Sequence, residues 1–213
     1  MKRRAALLAT VLAFLSPASA LAGDLLDKPP LPDQFFGVQI MLPAGVLIGN
    51  HMDKVAQPQI GFGFAFQVRA ANHWYVDFNY EQRFPLQTTA PKGGFLLGVD
   101  ATSLGARGRF PIGSKQRSLV VGGGIGGVRL HPIEPTNDTT KPVGPSSSGA
   151  GLYGILGIEH EVFGSGASAG YVGVETRYNH FFTDKKVGFS GGLLDARVAF
   201  SYYFGGDDAR ECW

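Results

Sequence analysis

Between Leu194 and Phe204 apolar residues hold every second position, with Asp195, Arg197, Ala199 and Ser201 between them. An extended strand sends alternate side chains to opposite faces. This segment therefore has one continuous greasy face and one face with opposite charges two residues apart. The same period of two recurs upstream and predicts eight strands, at about 35–42, 59–70, 74–84, 95–110, 118–130, 151–162, 169–182 and 194–204. The second is the cleanest: Ile60, Phe62, Phe64, Phe66 and Val68 alternate with Gly61, Gly63, Ala65, Gln67 and Arg69. In the fourth, Phe95, Leu97, Val99 and Ala101 share a parity that Leu104, Ala106 and Phe110 reverse. A bulge near Ser103 would reconcile the two halves. The fifth is glycine-rich and weakly patterned.

The segments between these strands alternate in length. They cover 43–58, 71–73, 85–94, 111–117, 131–150, 163–168 and 183–192, long and short in turn. An up-and-down barrel of a bacterial outer membrane has short turns on one side and longer loops on the other, whereas a β-sandwich has no reason to alternate. The strands are long for a soluble sheet and suit tilted spanning strands. The fold expectation is an all-β, eight-stranded antiparallel up-and-down transmembrane barrel. A soluble lipocalin-like barrel is the competing fold; it would turn the greasy faces inward around a ligand cavity.

The start of the chain supports the membrane reading. Lys2, Arg3 and Arg4 precede an apolar run from Ala5 to Leu15; Pro17 ends it, and Ala18-Ser19-Ala20 and Ala20-Leu21-Ala22 follow as small-residue cleavage sites. This order is that of a secretory signal peptide, and the run is too short to span a bilayer as a helix. The expected organisation is a signal peptide at 1–22, an extended periplasmic lead-in at 23–34 with Pro29, Pro30 and Pro32, the barrel at 35–204 and a tail at 205–213. No later segment reaches the ~20 apolar residues of a transmembrane helix, and an exported chain without one crosses a membrane only as a closed barrel. Glycine is abundant (31 residues) and charged residues make up only 17%, a balance that suits strands. A formal net charge of +2 carries no basic excess for nucleic acid. Cys212 is the single cysteine, so no intrachain disulfide forms.

With its signal peptide, its alternating strands and its ending Val198-Ala199-Phe200-Ser201-Tyr202-Tyr203-Phe204, the chain resembles the small eight-stranded outer-membrane barrels of the OmpX and OmpA transmembrane-domain kind. The resemblance covers nearly the whole mature chain. It implies residence in the outer membrane, contact with its lipid, and recognition of the ending by the barrel assembly machinery. Family members usually stop at the final aromatic, whereas Gly205 to Trp213 continue here.

If the greasy faces meet lipid, the inward set contains Arg69, Asp77, Glu81, Arg83, Glu159, Glu161, Glu175, Arg177, Asp195 and Arg197. Eight strands enclose a space that side chains just fill, and charges there must pair. The expectation is a plug of interlocked ion pairs rather than a wide pore. Aromatics near the strand ends predict two interfacial girdles: Trp74, Phe110, Phe163, Tyr171, Tyr202, Tyr203 and Phe204 on the turn side, and Phe84, Phe95, Tyr153, Phe181 and Phe182 on the loop side.

Other motifs carry less. The G-x-G-x-x-G within Gly122-Gly123-Gly124-Ile125-Gly126-Gly127 runs on through Val128 to Pro132 as strand, without the helix and acidic residue a dinucleotide site requires. Histidines 51, 73, 131, 160 and 180 lack metal-binding spacing, and no cofactor is expected. Asn137-Asp138-Thr139 fits a glycosylation sequon that a bacterial setting makes moot. The stretch from Glu175 to Phe182 is similar to the region around the active-site histidine of the lipid A deacylase PagL, with His180 as its counterpart. That family's serine, two residues on, is Phe182 here, and a serine hydrolase needs its hydroxyl beside the base. The 131–150 connection, with four prolines and Ser146-Ser147-Ser148, is too polar to pack a core and is a candidate contact surface for an extracellular ligand. The functional expectation is a non-enzymatic surface protein whose loops serve adhesion or envelope integrity. A PagL-like lipid A deacylase and a narrow ion channel are the alternatives.

Overall fold

The computed structural model describes residues 34–49, 58–86, 96–133, 146–165, 168–183 and 191–205. Among them are eight strands: β1 (Phe36–Gly49), β2 (Gln59–Ala71), β3 (Trp74–Pro85), β4 (Leu96–Ile112), β5 (Ser114–Ile133), β6 (Ser147–Ser165), β7 (Ser168–Thr183) and β8 (Gly191–Phe204). Each pairs antiparallel with the next, and β8 returns to β1. In that last ladder Phe36 faces Phe204 and Gly49 faces Gly191. The closed, all-antiparallel, up-and-down barrel of the sequence reading is the fold. The predicted signal peptide, all but the last residue of the lead-in, and the tail beyond Gly205 lie outside the described residues, as do His51, Phe95, Asn137 and Cys212.

Along β8 the burial alternates without a break from Leu194 to Tyr203, and the apolar set is the exposed one. Phe64 is 49% exposed and Val174 62%, whereas Arg177 and Arg197 are 1% exposed. Hydrocarbon outside and charge inside is the arrangement of a barrel in lipid, where closure leaves no strand edge unpaired. The soluble lipocalin-like alternative, which needs the opposite polarity, is excluded.

Six of the eight strands run further toward the loop side than the pattern predicts. β1 was expected to stop before Pro43. Proline lacks an N–H, and the β1–β2 ladder skips Leu42 and Pro43 but resumes at Ala44↔Ile60 in the same register, while the β1–β8 ladder continues to Gly49. On the other side the connections are tight: Asn72 and His73 join β2 to β3, and Gly113 alone joins β4 to β5. Gly113 has a φ of 69°, left-handed backbone that favours glycine.

The bulge expected near Ser103 is absent. Ser103 pairs in unbroken register with Asn79 on one side and Gly126 on the other, and the β4–β5 register shifts instead between Pro111 and Ile112. The parity conflict in β4 has another cause. Leu97 and Val99 point inward with Ser103, Arg107 and Arg109, because the loop-side end of the interior is apolar.

Candidate functional site in the barrel interior

The lumen is filled in three layers. Its centre is built from charge pairs spaced two residues apart on one strand, Glu81/Arg83, Glu175/Arg177 and Asp195/Arg197, which the period of two aims at the same side. Glu81 is the hub. It accepts Arg177 Nη1 at 2.6 Å and Arg197 Nη1 at 2.9 Å, and it also pairs with Arg83. Asp195 takes Arg83 Nη2 at 2.9 Å and Arg197 Nη2 at 2.7 Å. Arg177 donates further to Asn179 Oδ1 and Ser103 Oγ, both at 2.8 Å, and lies 3.9 Å from the centroid of the Tyr153 ring. Beside this hub Arg107 pairs with Glu175, whose Oε1 also accepts Gln39 Nε2 at 3.1 Å. Asp77 accepts Asn79 Nδ2 at 2.7 Å.

The turn-side layer centres on Arg109. Its guanidinium pairs with Glu159 and stacks 3.7 Å from the Tyr203 ring centroid and 4.3 Å from that of Tyr171. Tyr75 completes this layer and donates through its hydroxyl to the Gln34 carbonyl at 3.1 Å. The last residue of the lead-in is thereby held in the barrel mouth. The loop-side layer is apolar: Leu47, Leu97, Val99, Val128, Leu130, Phe181 and Leu193 form one buried cluster.

Among the fully described interior positions, the arginines at 83, 107, 109, 177 and 197 are matched by Asp77, Glu81, Glu159, Glu175 and Asp195. A lone ion would cost several kcal/mol here; equal numbers of each sign let every guanidinium find a carboxylate. Space for these long side chains comes from inward-facing glycines. At Gly124 a Cβ would lie 2.9 Å from the Tyr153 ring. The G-x-G-x-x-G run is thus the thin part of the β5 wall.

Eight of the predicted interior residues, Asp77, Glu81, Arg83, Glu159, Glu175, Arg177, Asp195 and Arg197, come together in this lumen. Two lie at the turn-side margin of the barrel. Arg69 sits at the turn-side end of β2 and donates to the Ala71 and Asn72 carbonyls. Glu161 is half-buried beside the register shift between Glu161 and Phe163, and Tyr171 Oη lies 3.5 Å from its Oε2. Arg107 and Arg109 belong to the network and lie outside the predicted set. Their alternation against Leu104 and Ala106 was the available signal, obscured by the apparent reversal in β4.

The girdle set needs the same sorting. Trp74 and Tyr202 are exposed, and Phe204 is half-exposed on the outer wall. Tyr171 is no interfacial residue: it shares the inward parity of Glu175 and is buried against Arg109. The same parity takes Tyr203, Tyr153 and Phe181 inside. Phe110 lies on the outer wall but is covered, edge-on to the Trp74 ring at 5.6 Å and beside His73 at 5.4 Å.

His180, the deacylase counterpart, stands on the lipid side. The Tyr178 hydroxyl is 3.3 Å from its Nδ1, and the Phe182 ring meets it edge-on at 4.9 Å. Among the described residues no group of three or more His, Cys, Asp or Glu side chains forms a metal site.

No family model matches the chain, and no curated protein matches it in sequence. Solved structures do. Neisserial surface protein A (NspA) superimposes with a TM-score of 0.56 at 13% identity, over 79% of this chain and 96% of that one. The attachment invasion locus protein Ail of Yersinia pestis, in complex with the heparin analogue sucrose octasulfate, gives 0.48 at 14% identity, over 80% and 98%. The N-terminal β-barrel domain of Pseudomonas aeruginosa OprF gives 0.41 at 10%, over 79% and 97%. The burial pattern puts the barrel in a membrane, and the chain has the fold of the small eight-stranded barrels of the bacterial outer membrane.

Proposed function

We propose that this protein is a non-enzymatic surface protein of the outer membrane, a rigid barrel that presents its long connections to the cell exterior for adhesion or envelope integrity. One observation carries the reading: all the long connections leave the same end of a barrel whose lumen is filled by ion pairs and an apolar layer. A filled lumen leaves the loops as the variable surface, and loops on rigid scaffolds are where binding commonly resides. The segments concerned are 50–57, 87–95, 134–145 and 184–190. The ending 198–204, which closes β8 on β1, serves as the recognition element for barrel assembly.

The test is adhesion of cells that carry the full-length protein to epithelial monolayers, against cells carrying a variant in which a short Gly-Ser turn replaces 134–145. Wild-type cells bind above the background of cells lacking the protein, and the trimmed variant falls toward that background. Binding unchanged both by the trimming of 134–145 and by absence of the protein sinks the proposal. The deacylase alternative is separated by mass spectrometry of lipid A. An acyl pattern identical with and without the protein is expected, because the position after Asn179-His180-Phe181 offers a phenyl ring where a nucleophile is needed.

A further inference from the structure

The outer wall over β4, β5 and β6 carries a recess of about 490 Å³ bordered by Phe78, Leu104, Ile125, Leu152 and Phe182. The strand register explains its shape. One cross-strand row reads Phe78, Leu104, Ile125, Leu152. The next row toward the loops reads Tyr80, Thr102, Gly127, Ala150, Phe182, three small residues between two rings. The row beyond is polar: Gln82, Asp100, Arg129, Ser148. Small side chains leave the wall low between its aromatic rims, so the bilayer must supply the missing volume.

The polar row lies on the loop side of this trough. Arg129 is exposed, on the same face of β5 as Gly127, with Nη2 3.4 Å from Ser146 Oγ. Asp100, its cross-strand neighbour, lies 3.6 Å from His131 Nδ1. A second outer concavity, over Val38, Ile40, Phe163 and Tyr202, lies toward the turn side of the wall, and neither lining holds a charged residue. Arg129 stands beside the first recess, two residues beyond Gly127 on the same face of β5.

We propose that this recess is a binding site for a phosphorylated glycolipid of the outer leaflet, the lipid A class. An acyl chain lies in the Thr102–Gly127–Ala150 trough against Ile125 and Leu152. Its phosphate rests on Arg129, with the exposed Ser146 and Ser148 hydroxyls as further donors. The site uses the lipid face of the barrel, so it stands independently of the loop-adhesion reading.

The full-length protein is reconstituted in phosphatidylcholine nanodiscs doped with equal amounts of diphosphorylated lipid A and phosphatidylglycerol, extracted in mild detergent, and examined by native mass spectrometry. Wild type retains one lipid A in preference to both phospholipids. R129Q lowers the retained fraction about tenfold, as expected for one charge-assisted hydrogen bond. G127L fills the trough and lowers it similarly; a Cβ at Gly127 meets only Thr102 Oγ1, at 3.5 Å, so the wall accepts the side chain. D100N raises retention by removing the adjacent carboxylate. Heat-dependent gel mobility checks that each variant is folded, and D100N gives a readout that loss of folding cannot imitate. Retention by R129Q and G127L equal to wild type overturns the proposal, as does retention of phosphatidylglycerol equal to that of lipid A.

Discussion

Arg107 on β4 and Glu175 on β7 belong to strands that share no ladder, yet their side chains form a fully buried ion pair across the lumen. Removing one partner of a buried pair strands the other in a dry interior, at about 3–5 kcal/mol. E175Q and R107M are each expected to lose that much in urea unfolding from lipid vesicles. The R107M/E175Q double variant should lose less than the two singles summed, because no uncompensated ion remains. Additive losses would show that the pair is not coupled.

Arg109 tests stacking separately from charge. Its guanidinium lies over Tyr203 and Tyr171 while it pairs with Glu159. Lysine keeps the charge but has no planar fork to lie on two rings. R109K is expected to cost about 1–2 kcal/mol and R109A about 3–5 kcal/mol. Equal losses for the two variants would assign the whole effect to the planar guanidinium, and an R109K equal to wild type would assign it to charge.

The lipid face has its own depth scale. V174R, midway along β7, places a cation in the hydrocarbon and should cost about 2–4 kcal/mol; I48R, at the loop-side end of β1, should cost about 0–1 kcal/mol. Unfolding from phosphatidylcholine vesicles measures both. Equal costs at the two depths would contradict the orientation assigned to the barrel.

The apolar layer of Leu47, Leu97, Val99, Val128, Leu130, Phe181 and Leu193 lies between the charged centre and the loops. An ion crossing it would have to shed its water without gaining a polar partner. Purified protein in planar bilayers is therefore expected to show no discrete conductance steps. Regular steps at low voltage would return the narrow-channel reading to the front.

Glycine position discriminates inside from outside. G124A drives a Cβ against Tyr153 and the Gly105 backbone, whereas G127A meets only Thr102 Oγ1 at 3.5 Å. Overpacking commonly costs about 1–3 kcal/mol. G124A should lose that in the same unfolding assay, with G127A within about 0.5 kcal/mol of wild type.

The sequence by itself determined the strand count, the antiparallel order, the long and short alternation, and the inward placement of pairs such as Asp195 and Arg197. Each is a local consequence of a period of two and of where chain-reversing residues fall. β1 runs through Pro43 because a missing N–H can be absorbed where the β1–β2 ladder skips Leu42 and Pro43 and resumes at Ala44. Tyr171 lies near a strand end, where interfacial aromatics fall, but its parity with Glu175 sends it inside.

Only the closed barrel decided the rest. Whether Leu97 and Val99 face lipid or lumen depends on what the other strands bring to the same height, and there Leu47, Val128 and Leu193 supply an apolar layer. Which guanidinium meets which carboxylate likewise depends on register around the whole circumference: Glu81 joins Arg177 and Arg197 from β7 and β8, far from it in the chain. Alternation fixes the face a side chain takes, and closure fixes its company, because contacts across a lumen are set by stagger between strands and not by spacing along any one of them.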